Sequence, residues 1–95
     1  MQVIIRNRRW NLVFQNLGRA EHWGLCDPPD KPGKKITIDS GIRGQKRLEI
    51  LLHEGVHACS WDLDEDAVAE ISDDLSRMLW RLGYRCPEDQ QEEKG

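Results

Sequence analysis

The sequence has no apolar run long enough to cross a membrane and no pairwise arrangement of cysteines. None of its apolar runs approaches the ~20 residues that a membrane-spanning helix needs, and no secretory signal pattern opens the chain. The three cysteines are an odd number without paired spacing, which argues against a disulfide framework and for a reducing compartment. We therefore expect a cytoplasmic protein that makes no membrane contact.

Histidine is also scarce, and its placement is informative. The chain has three histidines among 95 residues, and two of them, His53 and His57, frame the segment His-Glu-Gly-Val-His. Residues four apart on a helix lie about one turn above each other, so both imidazoles can reach one metal ion. Catalytic zinc binds such nitrogens and keeps one position open for water. Glu54, beside the first histidine, is the predicted general base that takes a proton from the metal-activated water.

The same segment also fits a helix with two satisfied histidines and a solvated carboxylate. A chance match is rare at average residue usage, on the order of one in several hundred chains of this size, so we favour the metal site. Gly55 costs helix propensity, which predicts close approach by another backbone. An apolar stripe beside the histidines predicts that one face of this helix packs inward: Leu48, Leu51, Leu52, Val56 and Cys59.

The length predicts one small domain over residues 1–86, followed by a charged, disordered tail over residues 87–95. Asn7 predicts a tight turn between the first two strands. An apolar stripe on the second helix predicts its packing face: Val68, Ile71, Leu75, Met78, Leu79 and Leu82. Strands are predicted at residues 3–5, 10–14, 23–27 and 35–39, and helices at about 43–60 and 64–82.

A catalytic zinc site needs a third protein ligand, and the acidic residues after the motif helix supply the candidates. The short connector turns the second helix back, so its first turns lie near the histidines. Glu70 has the better depth along that helix but shares a face with charged residues, whereas Glu65 lies at the margin of the apolar stripe. A side chain on the wrong face cannot reach the metal. We therefore favour Glu65, with Glu70, Asp64 and Asp66 as alternatives.

The stretch from residue 50 to residue 84 resembles small phage-encoded metallopeptidases of the zincin type with a glutamate ligand. These are distantly similar to SprT-like and ImmA/IrrE-like proteins. The resemblance extends over residues 10–85, and the histidine motif is its specific part. It is carried by Ile-Leu-Leu-His-Glu-Gly-Val-His-Ala at residues 50–58 and by Asp-Leu-Asp-Glu-Asp-Ala-Val at residues 62–68.

The resemblance implies a minimal zincin-like fold of the α+β class, in which a small antiparallel or mixed sheet packs on the motif helix and a second, antiparallel helix. It also implies zinc bound by His53 and His57, Glu54 as general base, and a glutamate within residues 64–68 as third ligand. The chain departs from typical peptidases in being very short, because no further helical part forms the far wall of a substrate cleft.

Two functions of different class follow from these patterns. The first is a zinc endopeptidase that hydrolyses a peptide or protein substrate, held extended by strand addition at residues 36–39. The alternative is a zinc-stabilised, non-catalytic binding module that contacts a host protein or nucleic acid. Residues 1–47 hold ten Lys/Arg against four Asp/Glu, and residues 48–95 hold four against thirteen, which supports the alternative. Glu54 favours the enzyme, because a structural metal site has no use for it.

Overall fold

The computed structural model describes residues 1–18 and 23–87 and confirms the predicted α+β class. Residues 88–95 of the predicted tail lie outside the described part of the chain. The second helix and the motif helix begin and end close to their predicted positions. The strands are β1 (Gln2–Ile5), β2 (Arg8–Gln15), β3 (Gly24–Cys26) and β4 (Lys35–Asp39), and the helices are α1 (Gly44–Cys59) and α2 (Glu65–Arg81).

The four strands form one mixed sheet in the order β1-β2-β4-β3. β1 and β2 are an antiparallel hairpin whose turn has positive φ at Arg6 and Asn7, as two-residue hairpin turns require. β4 pairs in parallel with β2 and antiparallel with β3. The prediction of β4 as an edge strand is therefore wrong, and β3 forms that edge. Periodicity does not reveal which strands pair, because β4 inserts between two strands that precede it in sequence.

The helices pack in two successive layers on one face of the sheet. Alternate residues of β2 and β4 point to this face, where Trp10, Ile36 and Ile38 are buried together with Ala58 of α1. α1 lies across β3 and β4, and α2 packs mainly on α1. The two helices run antiparallel, because the start of α1 approaches Trp80 near the end of α2. The motif helix is thus held between the sheet and α2.

The face of α2 that packs on α1 includes Val68 of the predicted stripe but otherwise differs from the prediction. Val68, Ser72 and Ser76 are fully buried. The two serine hydroxyls donate hydrogen bonds to carbonyl oxygens three residues earlier in the helix, at 3.1 and 3.0 Å, so no buried hydroxyl lacks a partner. Most of the predicted stripe is exposed instead: Ile71 and Leu75 at 36%, Met78 at 51% and Leu82 at 68%.

The three cysteines are free, as their spacing predicts. The prediction that Cys59 is buried is wrong, because it is the last residue of α1 and its side chain is exposed where the chain leaves the core. Its carbonyl accepts a hydrogen bond from Arg6 in the β1–β2 turn at 3.1 Å. Within the described residues, neither helix has the length and apolar character that a bilayer crossing requires.

Candidate metal centre

α1 presents the two motif histidines side by side. Their four-residue spacing places His53 and His57 one turn apart, with ring centroids 4.9 Å from each other in an edge-on arrangement. Both side chains are mostly buried, at 21% and 16% exposure. The buried setting limits the rotamers open to the rings, so both Nε2 atoms point to a common region.

The first residue of α2 supplies a carboxylate to that region. Glu65 Oε1 lies 2.9 Å from Nε2 of His53, and Glu65 Oε2 lies 3.1 Å from Nε2 of His57. The start of α2 is fixed by Asp64, whose carboxylate accepts a hydrogen bond from the backbone N–H of Ala67 at 3.3 Å. The short connector and this cap together bring Glu65 to the histidines.

The alternative ligands lie elsewhere. Glu70 is exposed on the outer side of α2, and Asp66 is exposed in the first turn. Asp64 is occupied as the helix cap. Of the four acidic candidates, Glu65 therefore lies on the side of α2 that faces the histidines.

The ionisation of Glu65 reflects its two neighbours. Burial acts to raise its pKa, but the hydrogen bond with His53 and the charges of His57 and His53 outweigh burial and lower the pKa of Glu65 below its ordinary value. The side chain is otherwise well exposed, so the carboxylate is ionised at neutral pH. An anionic oxygen beside two imidazole nitrogens is a donor set suited to a divalent cation.

The donor atoms of the three residues lie close enough together to hold one metal ion. One donor atom from each of His53, His57 and Glu65 lies within 4.8 Å of the others. Zinc binds such nitrogens and oxygens at ~2.0–2.2 Å in a tetrahedron, whose ligand atoms are then ~3.3 Å apart. The nitrogen–oxygen distances of 2.9 and 3.1 Å run to the two different oxygens of the Glu65 carboxylate, so this exposed side chain would turn to offer one oxygen to an ion. Three protein ligands would leave one tetrahedral position for water or substrate.

Glu54 is a buried carboxylate next to this donor set, with 8% of its surface exposed. It packs against the backbone of β3, where a Cβ added to Gly24 would lie 2.8 Å from Glu54 Cγ and 2.9 Å from its Oε2. Any side chain at position 24 would therefore displace the carboxylate. Nothing lies within 4 Å of a Cβ added at Gly55, so the predicted close approach occurs at Gly24 on the sheet instead of within the motif.

The histidines and Glu54 line an open cavity of about 670 Å³. Its sides include β3, Trp23 and Trp61, and both indoles are more than 40% exposed. The Trp61 ring meets His57 edge-on, with centroids 6.2 Å apart. The sequence analysis did not identify either tryptophan as part of the site. The sequence signal for them is their position, since Trp23 directly precedes β3 and Trp61 follows the end of the motif helix by two residues.

Two further residues next to the site were also missed. Ser72 Oγ lies 3.5 Å from Nδ1 of His53, behind the metal-facing nitrogen, where outer-shell partners of metal ligands are usually found. Cys26 lines the cavity, but burial and then the negative charge of Glu54 raise the pKa of its thiol to about 12. Cys26 is therefore a neutral thiol at physiological pH, and among the described residues the clustered donor group consists of His53, His57 and Glu65.

Comparison with protein-family models, with curated proteins and with solved structures gives no match to this chain. The resemblance to zincin-type metallopeptidases therefore stays a prediction.

Proposed function

We propose that the chain is a zinc-dependent peptidase in which His53, His57 and Glu65 hold the metal and Glu54 is the general base. The observation that carries this proposal is the carboxylate of Glu65, whose two oxygens meet the Nε2 atoms of both histidines at 2.9 and 3.1 Å. Bound zinc would supply a Lewis acid that polarises a peptide carbonyl and lowers the pKa of water.

Glu54 has the position that proton transfer needs. It follows His53 directly, so it projects about 100° around the helix and lies beside the donor set without belonging to it. The carboxylate would take a proton from the attacking water and return it to the leaving amine. Its burial against Gly24 holds it in one orientation. A role as general base would explain why an acidic side chain is buried next to the two histidines.

The edge of β3 offers a place for an extended substrate. Trp23 O accepts a hydrogen bond from Asp39 N at 2.8 Å, and Asp27 N donates one to Lys35 O at 3.0 Å. Residues 23 and 27 therefore face β4. By the alternation of antiparallel pairing, the N–H and C=O groups of Gly24 and Cys26 point to the open edge. A peptide that added a strand there would pass Glu54 and the histidines. The substrate class is accordingly an unfolded or extended protein segment.

Replacement of Glu54 tests this function directly. Glu54→Gln keeps the size of the side chain but removes the base, so it should keep stoichiometric zinc and wild-type melting while losing cleavage of a peptide library. A loss of about 10²–10⁴-fold in rate is expected for a missing general base. Because the cavity is open, the assay should include a lysate that offers protein substrates and partners.

The alternative function, a zinc-stabilised binding module, would replace this proposal if no cleavage were found. If zinc-loaded wild-type protein never cleaves more than Glu54→Gln, in library or in lysate, the peptidase function is wrong. The same outcome with full zinc occupancy would leave the metal as a structural element of the fold.

A further inference from the structure

The outward face of α2 carries a row of apolar side chains that are partly or largely exposed in the described part of the chain. Ile71, Leu75, Met78 and Leu82 recur at steps of four, three and four, which places them on one stripe along three turns. We call this stripe the outer seam of α2. Single exposed apolar residues are ordinary, but a continuous row at this spacing is the pattern by which one helix packs on another.

The charges beside the outer seam indicate which helix fits it. Asp74 and Arg81 flank the seam on the same side. Asp74 lies toward the N-terminal end of the seam and Arg81 toward its C-terminal end. In the described part of the chain, Arg81 makes no ion pair or side-chain hydrogen bond. Asp74 is bound by Arg77 of the same helix at 2.7 Å, which leaves oxygen lone pairs for a second cation. This surface is therefore complementary to a partner that places a basic group next to Asp74 and an acidic group next to Arg81.

A second copy of α2 laid antiparallel meets both needs at once. A twofold axis between residues 76 and 77 pairs Leu75 with Met78 of the second copy and Ile71 with Leu82 of the second copy. The same axis brings Asp74 of each copy to within two residues, about 3 Å along the helix axis, of the level of Arg81 of the other. The two side chains share a flank, because residues that flank a seam on the same side meet across an antiparallel pair. The interface is then self-complementary and closes at two chains.

We propose that the outer seam is the interface of an antiparallel homodimer of this chain, with two Asp74–Arg81 ion pairs beside it. A seam of three turns is short compared with standard interfaces, so the dimer should dissociate reversibly on dilution. The proposal uses none of the metal ligands. It therefore stands or falls separately from the peptidase function, and self-association should persist in His57→Ala.

Sedimentation velocity of the full-length chain over a range of concentrations tests the apolar part of the interface. The wild type should shift from monomer to dimer as concentration rises, and Met78→Glu should stay monomeric because it places a carboxylate in the centre of the seam. Ile4→Glu is the matched control. Ile4 is an equally large, exposed apolar residue on β1, and its replacement should leave the dimer unchanged.

Charge reversal tests the orientation. Asp74→Arg and Arg81→Asp should each raise the dissociation constant by about tenfold or more, because each converts two attractive contacts into two repulsive ones. The double variant should restore dimerisation, and the two single variants mixed together should form a heterodimer. Wild-type protein that is monomeric to about a millimolar would overturn the proposal. A dimer that survives Met78→Glu, or a double variant as weak as the singles, would also overturn it.

Discussion

The two sides of α2 differ in the residues they carry and in what those residues contact. The inward side has Val68, Ser72 and Ser76, all fully buried against α1, whereas the outward side carries larger apolar residues that are half exposed. Small side chains let two helices lie close together. Glu65, at the head of the serine side, reaches both histidines of α1. The side of α2 that faces α1 is therefore the one with small residues, which lets Glu65 reach the histidines. It is not the side with the largest apolar residues.

The largest effect expected on the inward side is the response to metal. Zinc that binds only the folded chain adds about 4 kcal/mol to the free energy of unfolding when its free concentration is a thousand times the dissociation constant. His57→Ala should lose this stabilisation and most of its zinc, as measured by thermal melting and elemental analysis. His22→Ala changes the one histidine outside the motif and should behave as wild type. Equal zinc contents in His57→Ala and the wild type would contradict the account.

The next largest effect is on zinc affinity, when the same Glu→Gln change is made on each of the two sides of α2. Glu65→Gln removes the charged ligand from the inward side and should weaken zinc binding by about a hundredfold or more, since changes to outer-shell partners already cost 10–100-fold. Glu70→Gln makes the same change on the outward side and should have almost no effect. Isothermal titration of both variants decides the matter. If Glu70→Gln were the damaging change, depth along the helix would outweigh facing.

A smaller effect is expected from the spacing between the helices. Ser76→Leu places a bulky side chain where the helices touch, and overpacking of this kind should cost about 1–3 kcal/mol. It should also weaken zinc binding, because α2 and Glu65 would move away from α1. Met78→Ser makes the reverse exchange on the outward side and should cost under about 1 kcal/mol in dilute protein.

Urea unfolding of Ser76→Leu and Met78→Ser measures their loss of stability, and zinc titration measures their loss of zinc affinity. Equal losses of stability in both variants would show that the serine face has no special role. Unchanged zinc affinity in a destabilised Ser76→Leu chain would show that Glu65 reaches the histidines without close helix packing.

Much of the fold follows from local pattern. The α+β class, the positions of the strands and helices and the turn at Asn7 agree with their predictions, because periodicity and turn residues are local signals. The choice of Glu65 over Glu70 also followed from local reasoning about which side of a helix can face its neighbour. These are arguments about residues fewer than twenty positions apart.

The errors concern contacts that local pattern does not specify. β4 lies inside the sheet because it pairs in parallel with β2, a long-range pairing without a sequence signature. The apolar stripe of α2 predicted the buried Val68 but not the buried Ser72 and Ser76, since hydrophobic periodicity cannot show that small serines allow a closer helix pair. Gly24 was overlooked for the related reason that its close contact is with Glu54 on a separate element.

A crystal structure of the zinc-loaded protein, with the metal located by anomalous scattering, tests the central claim most directly. The account predicts one zinc per chain, bound by Nε2 of His53, Nε2 of His57 and a carboxylate oxygen of Glu65. A water should occupy the remaining position on the side of Glu54. Zinc bound elsewhere, zinc bound without Glu65, or a fourth protein ligand that closes the site would contradict it.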